Sequence, residues 1–365
     1  MTFFDLQQSQ GNAVVENKLH LNLSSRAYEV LMQDADTFRC CDFKQLDRAW
    51  ENHRLPSAVV NHLLIGFLDQ TPPAMRQMKQ RQQEFDTLLS DQKDVLSILH
   101  NHTLDLFLAL RTGWRQTRGD SYYIRLTVRA QSALLSYFEE YLLPLKIASA
   151  QDSVSVEIKI LLEEYALLPD QQRELIFYNT MLKDIRNAIE QRTALFVTLH
   201  KSRRTYTLLP FRIQSDREQR YNYLVGYQIS KSGDYLPKAT RLTSLAQVQN
   251  CTEQNLPEKE WALLQKRLEG EIRRKDIEFL SSSESPSEIR VQLTENGEDL
   301  YRRILYRRPR YVRKLPDHIY VFHCSQFQAR SYFIRFGADA KILAPQSFAR
   351  EIQAYFKAAL EQYLK

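Results

Sequence analysis

A short strand with one apolar face cannot stand alone, and this sequence holds two of them, each followed at once by a helical pattern. In "NKLHLNLSSRAYEVLMQDA", Leu19, Leu21 and Leu23 alternate with Lys18, His20 and Asn22, the period-two signature of a half-buried strand. Ser24 or Ser25 then stands as N-cap of a helix running to about Thr37. A second helix is expected from "LPSAVVNHLLIGFL", with Pro56 in its first turn. The pattern returns at "YYIRLTVRAQSALLSYFEEYL" (122–142), where Ile124, Leu126 and Val128 share one face and Tyr123, Arg125 and Thr127 the other. "DSVSVEIKILLEEYALLP" supplies its second helix, and in that alignment Leu63-Leu64 falls on Leu161-Leu162 and Phe67 on Tyr165. The backbone edge of each strand needs an antiparallel partner. Two such strands in one chain are therefore expected to partner each other, across a helical connector at 73–117.

Strand, helix, helix resembles the ribbon–helix–helix family, once in residues 1–72 and again, as a tandem repeat, in 118–179. Such ribbons read the major groove with their polar face, here His20, Asn22, Arg125 and Thr127. Charge speaks against strong DNA binding there. Residues 1–185 carry 19 Lys+Arg against 24 Asp+Glu, and phosphate neutralisation supplies much of the affinity for DNA. A groove-reading ribbon and an assembly module both stay open. The positive charge lies further on: residues 186–252 are net +7, 253–286 net −2 and 287–365 net +6. That half of the chain is where a polyanion is expected to bind.

In the basic half, "RYNYLVGYQIS" puts Tyr221, Tyr223, Val225 and Tyr227 on one strand face. It sits among "TALFVTLHKS", "TYTLLPFRIQ" and "YLPKATRLTSLAQV", four short strands that point to a small barrel or bent sheet. Gly226 inside a strand marks a bend or a close backbone approach. This segment, 180–252, resembles the WYL domain, an SH3/Sm-like barrel of prokaryotic regulators. Tyr223-Leu224 matches the last two letters of the family's triplet, with Asn222 where tryptophan is usual. Pro210 matches the proline ending the second strand, and Arg241-Leu242 the fourth-strand pair. His200 and Ser202 stand where a tyrosine and a small polar residue are common, and Tyr206 where arginine is common.

A linker helix is expected within 253–285, around "EIRRKDIEFL". Beyond it, "SYFIRFGADAKILAPQSFAREIQAYFKAAL" resembles the βαββα C-terminal extension of WYL proteins, over 286–365. The expected fold class is thus α+β: a helical ribbon–helix–helix-like region, a WYL barrel and a C-terminal βαββα domain. The resemblance implies a nucleic-acid-binding regulator that forms a homodimer through its extension. More narrowly, the combination resembles accessory proteins of RNA-targeting type VI-D CRISPR systems, in which the WYL protein binds single-stranded RNA and enhances an effector nuclease. A ligand-responsive transcription repressor is the alternative.

Chemistry agrees with the binding part. Single strands need cations for phosphates and rings for stacking. His200, Lys201, Ser202, Arg203, Arg204, Tyr206, Arg220, Tyr221, Tyr223, Lys238 and Arg241 supply the candidate surface. In "YRRILYRRPRYVRK" (301–314), a helix from Glu295 to Tyr306 is expected to carry Arg302 and Arg303 outward, with Arg307, Arg308, Arg310 and Arg313 following. Arginines near a helix C-terminus are favoured in any case, so a solvated helix end and a groove shared with the barrel both stay open.

Nine glycines form no phosphate loop. His100 and His102 of "HNH" diverge on a helix, and no nucleophile pairs visibly with a histidine. Catalysis is not expected. Cys40, Cys41, Cys251 and Cys324 show neither metal-ligand nor disulfide-framework spacing, so no metal or cofactor is expected. With no signal peptide or span-length apolar run, the protein is expected in the cytoplasm, away from membranes.

Overall fold

The computed structural model describes residues 1–8, 18–40, 42–216, 221–251, 255–281 and 286–364. They divide into two compact units, Met1–Arg186 and Asn187–Lys365. The first runs through α1 (Phe3–Gln8), β1 (Lys18–Leu23), α2 (Ser25–Thr37), α3 (Phe43–Glu51), α4 (Ser57–Asp69), α5 (Pro73–Leu88) and α6 (Lys93–Gln116). There follow β2 (Asp120–Arg125), α7 (Val128–Tyr137), α8 (Val154–Ala166), α9 (Asp170–Phe177) and α10 (Asn179–Gln191), which carries the chain into the second unit.

β1 and β2 pair antiparallel within the one chain, Lys18 opposite Arg125 and His20 opposite Tyr123. Leu19, Leu21, Leu23, Tyr122 and Ile124 are buried beneath the ribbon. Gly119 enters it at a point where a Cβ would sit 1.7 Å from the Leu23 carbonyl oxygen, so no other residue fits. The ribbon is shorter than the sequence pattern implied. β2 stops at Arg125, because Asn61 accepts from the Thr127 N–H (2.7 Å) and donates to the Arg125 carbonyl (2.7 Å). Thr127 is therefore not a ribbon-face residue; its hydroxyl caps α7 by accepting from the Ala130 N–H. α3 was also not foreseen in the strand–helix–helix reading.

Beneath β1 lies α8, whose charged residues Glu157, Lys159, Glu163 and Glu164 are all buried. Buried charge is tolerated only when partnered, and each has a partner. Glu157 pairs with Arg111 of α6, and Lys159 donates to the Thr117 carbonyl. Glu163 accepts from the N–H and hydroxyl of Ser24, both at 2.7 Å, and Glu164 from the Ala74 N–H at 2.8 Å. Next in sequence, Tyr165 donates to Asp34 (2.7 Å), which also takes the Arg173 guanidinium (2.7 Å). The Phe67 and Tyr165 rings meet edge-on at 6.0 Å.

The second unit opens with β3 (Leu195–Leu199), β4 (Thr205–Ser215), β5 (Asn222–Ile229), β6 (Tyr235–Arg241) and β7 (Leu245–Asn250). They form one antiparallel sheet in the order β6-β5-β4-β3-β7. Five strands replace the four expected, because a 3₁₀ turn at Leu242–Ser244 cuts the last segment in two. A closed barrel is not observed: among the described residues, β6 and β7 are joined by that turn but not paired with each other. Gly226 lies opposite a bulge in β4 at Pro210, where a Cβ would come 2.1 Å from the Leu209 carbonyl oxygen.

α11 (Glu258–Lys275) leads to β8 (Ser287–Leu293), α12 (Glu295–Arg303), β9 (Tyr311–Leu315), β10 (Ile319–Cys324), α13 (Gln326–Phe333), β11 (Ala340–Ala344) and α14 (Gln346–Tyr363). The βαββα expectation thus gains one strand and one helix, and β11 pairs with β8 in a second sheet of order β11-β8-β10-β9. α12 ends three residues before Tyr306, since Ile304 turns extended and packs on the core of this sheet. Among the described residues, no helix is long and apolar enough to cross a membrane.

Candidate nucleic-acid interface

The tyrosine face of β5 is first of all a core. Tyr223, Val225 and Tyr227 pack with Leu209 and Phe211 against Leu264 and Leu268 of α11 and against Ile277 and Leu280. Tyr227 is fully buried and donates its hydroxyl to the Leu264 carbonyl (3.1 Å). Phe211 stacks on Trp261 at 4.0 Å. Asn222, in the triplet's tryptophan position, is buried and accepts from the Ser215 hydroxyl (2.8 Å).

The character changes at the strand's start. Strand register sets Tyr223 opposite Arg241, whose Nε donates to the Tyr223 hydroxyl (3.1 Å). Burial pushes that phenol up to about 12, so it is a neutral partner at any ordinary pH. The Arg241 guanidinium lies 4.1 Å from the Tyr221 ring centre, a close cation–π distance. Its Nη2 donates to the hydroxyl of Tyr306 (3.3 Å), which comes from the segment after α12.

Tyr306 is surrounded by guanidinium groups. Arg307 is 5.0 Å from its ring and Arg335 5.5 Å. Arg335 donates to the carbonyls of Tyr306 (3.2 Å) and Ser331 (3.1 Å). Arg307 donates Nε to Glu278 (2.7 Å), from a left-handed backbone at φ 62° that non-glycine residues adopt at a cost. Two arginine–tyrosine segments far apart in sequence therefore meet at one site.

A second basic feature is the β3–β4 connection. Lys201, Ser202, Arg203 and Arg204 are all exposed. The turn is closed by bonds from Arg203 N–H to the Leu199 carbonyl and from Leu199 N–H to the Arg204 carbonyl, with Arg203 at φ 49°. The Ser202 hydroxyl accepts from the Arg204 N–H, and the His200 N–H donates to the Ser244 carbonyl. Tyr206 and Lys238 form a further pair, the ammonium 5.6 Å from the ring centre. Burial lowers the Lys238 ammonium and raises the Tyr206 phenol, whose oxygen lies 2.7 Å from the Thr240 hydroxyl.

Other expected residues lie apart from this cluster. Arg302 pairs with Asp299 (2.6 Å), Arg303 donates to the Asp299 carbonyl, and Arg313 reaches Glu288 (3.4 Å). Arg308 covers the Tyr301 ring at 5.4 Å, and Arg310 is exposed. Arg220 lies outside the described residues. In the first unit, His20 and Tyr123 form a tilted ring pair at 4.9 Å, with the Lys18 ammonium 5.2 Å from the tyrosine. Asn22 donates to the Gly119 carbonyl (2.8 Å), and Arg125 is exposed on the same ribbon.

Sequence reasoning did not single out Tyr306 or Arg335. The signal for Tyr306 was present in the interleaved run "YRRILYRRPRYVRK"; Arg335 stood in "SYFIRFG", which served only as a family match.

No family model matches the sequence, and no curated protein does. Among solved structures, a CRISPR Cas-related protein matches over 97% of this chain and 96% of its own, with a TM-score of 0.70 and 21% identity. The two chains share a fold. Proteasome accessory factor B/C (PafBC) of Arthrobacter aurescens aligns over 84% of this chain and 54% of its own, at 16% identity and a TM-score of 0.28, which is too low to carry an argument.

Proposed function

We propose that this chain is a non-enzymatic WYL-type accessory protein that binds single-stranded RNA on its second unit and modulates, by enhancement, an RNA-targeting CRISPR effector nuclease. The observation that carries the reading is the cluster of Arg241, Tyr221 and Tyr306 with Arg307 and Arg335. It combines the cations and rings that a single strand requires, on a fold shared with a CRISPR Cas-related protein. The exposed Lys201, Arg203 and Arg204 turn supplies further phosphate contacts. The bent five-stranded sheet takes the part of the family's barrel, and a homodimer in the cytoplasm is the expected working form.

Fluorescence anisotropy with single-stranded RNA, single-stranded DNA and duplex DNA over a salt series tests it. The triple variant R203A/R204A/R241A loses single-strand binding, while H20A/N22A/R125A retains it. Adding the protein to a target-RNA cleavage reaction of such a nuclease raises the rate. Equal, steeply salt-dependent binding to all three nucleic acids refutes the reading and leaves only a basic surface.

The second reading, a repressor whose ribbon binds operator duplex, is favoured by one observation: His20, Asn22, Tyr123 and Arg125 are exposed on a two-stranded ribbon. Under it H20A/N22A/R125A abolishes duplex binding, while R203A/R204A/R241A removes only the response to the sensed ligand.

A further inference from the structure

Of the three arginines around Tyr306, Arg241 and Arg335 spend their donors on neutral acceptors, a phenol on each of two tyrosines and two carbonyls. Arg307 is different: its Nε is held by a carboxylate. Glu278 comes from the 3₁₀ turn Ile277–Phe279 that follows α11, and its side chain is only 7% exposed, against 22% for Arg307. A charge-assisted bond of 2.7 Å in such a setting is among the stronger kinds. The left-handed backbone at Arg307 shows that the chain accepts strain while presenting that residue.

Resting on the RNA-binding reading above, we infer that Glu278 is a built-in stand-in for phosphate: it occupies Arg307 in the free protein and restrains the site's affinity for a single strand. A carboxylate and a phosphate oxygen ask the same fork of donors for the same bond. An incoming phosphate must take Arg307 from Glu278, and the displaced carboxylate then lies beside the phosphate it competes with. Among the described residues, the free cluster thus shows a strand two cations without a carboxylate partner rather than three. The consequence is weak binding that grows only when several phosphates engage together, with a salt dependence flatter than the arginine count implies.

The test measures binding of a fluorescein-labelled oligouridylate from roughly 50 to 200 mM salt to wild type, E278Q, R307Q, R241Q and the double variant E278Q/R307Q. E278Q keeps the size of the side chain and removes its charge. It is expected to bind about fivefold tighter at low salt, with a slope of log K against log salt steeper by about 0.7, the value of one extra phosphate on a single strand. The double variant binds no better than R307Q, because the gain runs through Arg307. If E278Q binds equally or more weakly with an unchanged slope while R241Q still weakens binding, Glu278 only buttresses the fold and the inference is overturned. If R241Q also changes nothing, the RNA site itself is wrong and the inference fails with it.

Discussion

Replacing Glu164 by Gln is expected to stabilise the protein at alkaline pH, against the usual expectation for removing a buried hydrogen-bonded charge. Burial pushes the Glu164 carboxyl up to about 7 from an ordinary 4.5, despite the Ala74 N–H and the nearby Arg111, which both favour the charged form. Raised in the folded state, the group favours folding while protonated. Its contribution is fully present below about pH 4.5 and is lost as pH rises through about 7. A difference of about 2.5 units at 1.36 kcal/mol per unit makes the cost of holding it ionised about 3 kcal/mol. Gln keeps an oxygen for the Ala74 N–H and never ionises. Part of that gain is lost because an amide accepts more weakly than a carboxylate, leaving a net stabilisation of about 1–2 kcal/mol at pH 8. Urea unfolding followed by circular dichroism at pH 5, 6, 7 and 8 reads both quantities. Wild type loses stability across that interval more steeply than E164Q. A variant that is less stable than wild type at pH 8, with the same pH slope, refutes the argument.

Arg173→Ala leaves Asp34 buried without its guanidinium and is expected to cost about 3–5 kcal/mol, measured by the same unfolding. Asn61→Leu removes the side chain that ends β2 and starts α7, and costs about 2 kcal/mol with loss of amide protection in the ribbon. Gly226→Ala forces a Cβ against the Leu209 carbonyl and costs about 3 kcal/mol, seen as a lower melting temperature.

The two ribbon strands announced themselves because each buries one face only: Leu19, Leu21 and Leu23 alternate strictly with exposed residues in sequence and in space. Tyr223 and Tyr227 were legible as a strand face, part of which a small domain needs for its core, but periodicity identifies a face without saying what covers it. What covers this one is α11, some 40 residues away in sequence. The end of β2 was hidden for a similar reason. Leu126 and Val128 continue the alternation, but Asn61, brought over by α4, captures the backbone on either side of Leu126. The candidate site was half visible. Arg241 ends β6 and Tyr221 immediately precedes the neighbouring strand β5, whereas Tyr306, Glu278 and Arg335 arrive through tertiary packing that no local pattern encodes.

The acidity of the first unit needs the same correction from sequence to space. Residues 1–185 are net −5 by count, but Asp34, Glu157, Glu163, Glu164 and Glu174 are buried, as are Arg111, Lys159 and Arg173. Setting these aside leaves about −3 for a partner to meet, since buried and paired charges project little field. Locally the sign reverses. The outward residues of the ribbon are Lys18, His20 and Asn22 on β1 and Ser121, Tyr123 and Arg125 on β2, two cations against one exposed acid of the ribbon, Asp120 at the start of β2, which lies 3.0 Å from His53. A regional count therefore does not dispose of a duplex contact at the ribbon, and a direct measurement does. If Lys18 and Arg125 meet phosphates, K18A/R125A lowers duplex affinity and flattens its log–log salt slope by about 1.8, at about 0.9 per phosphate contact. Single-strand binding on the second unit stays unchanged. A slope equal to wild type on duplex DNA assigns the ribbon to assembly alone.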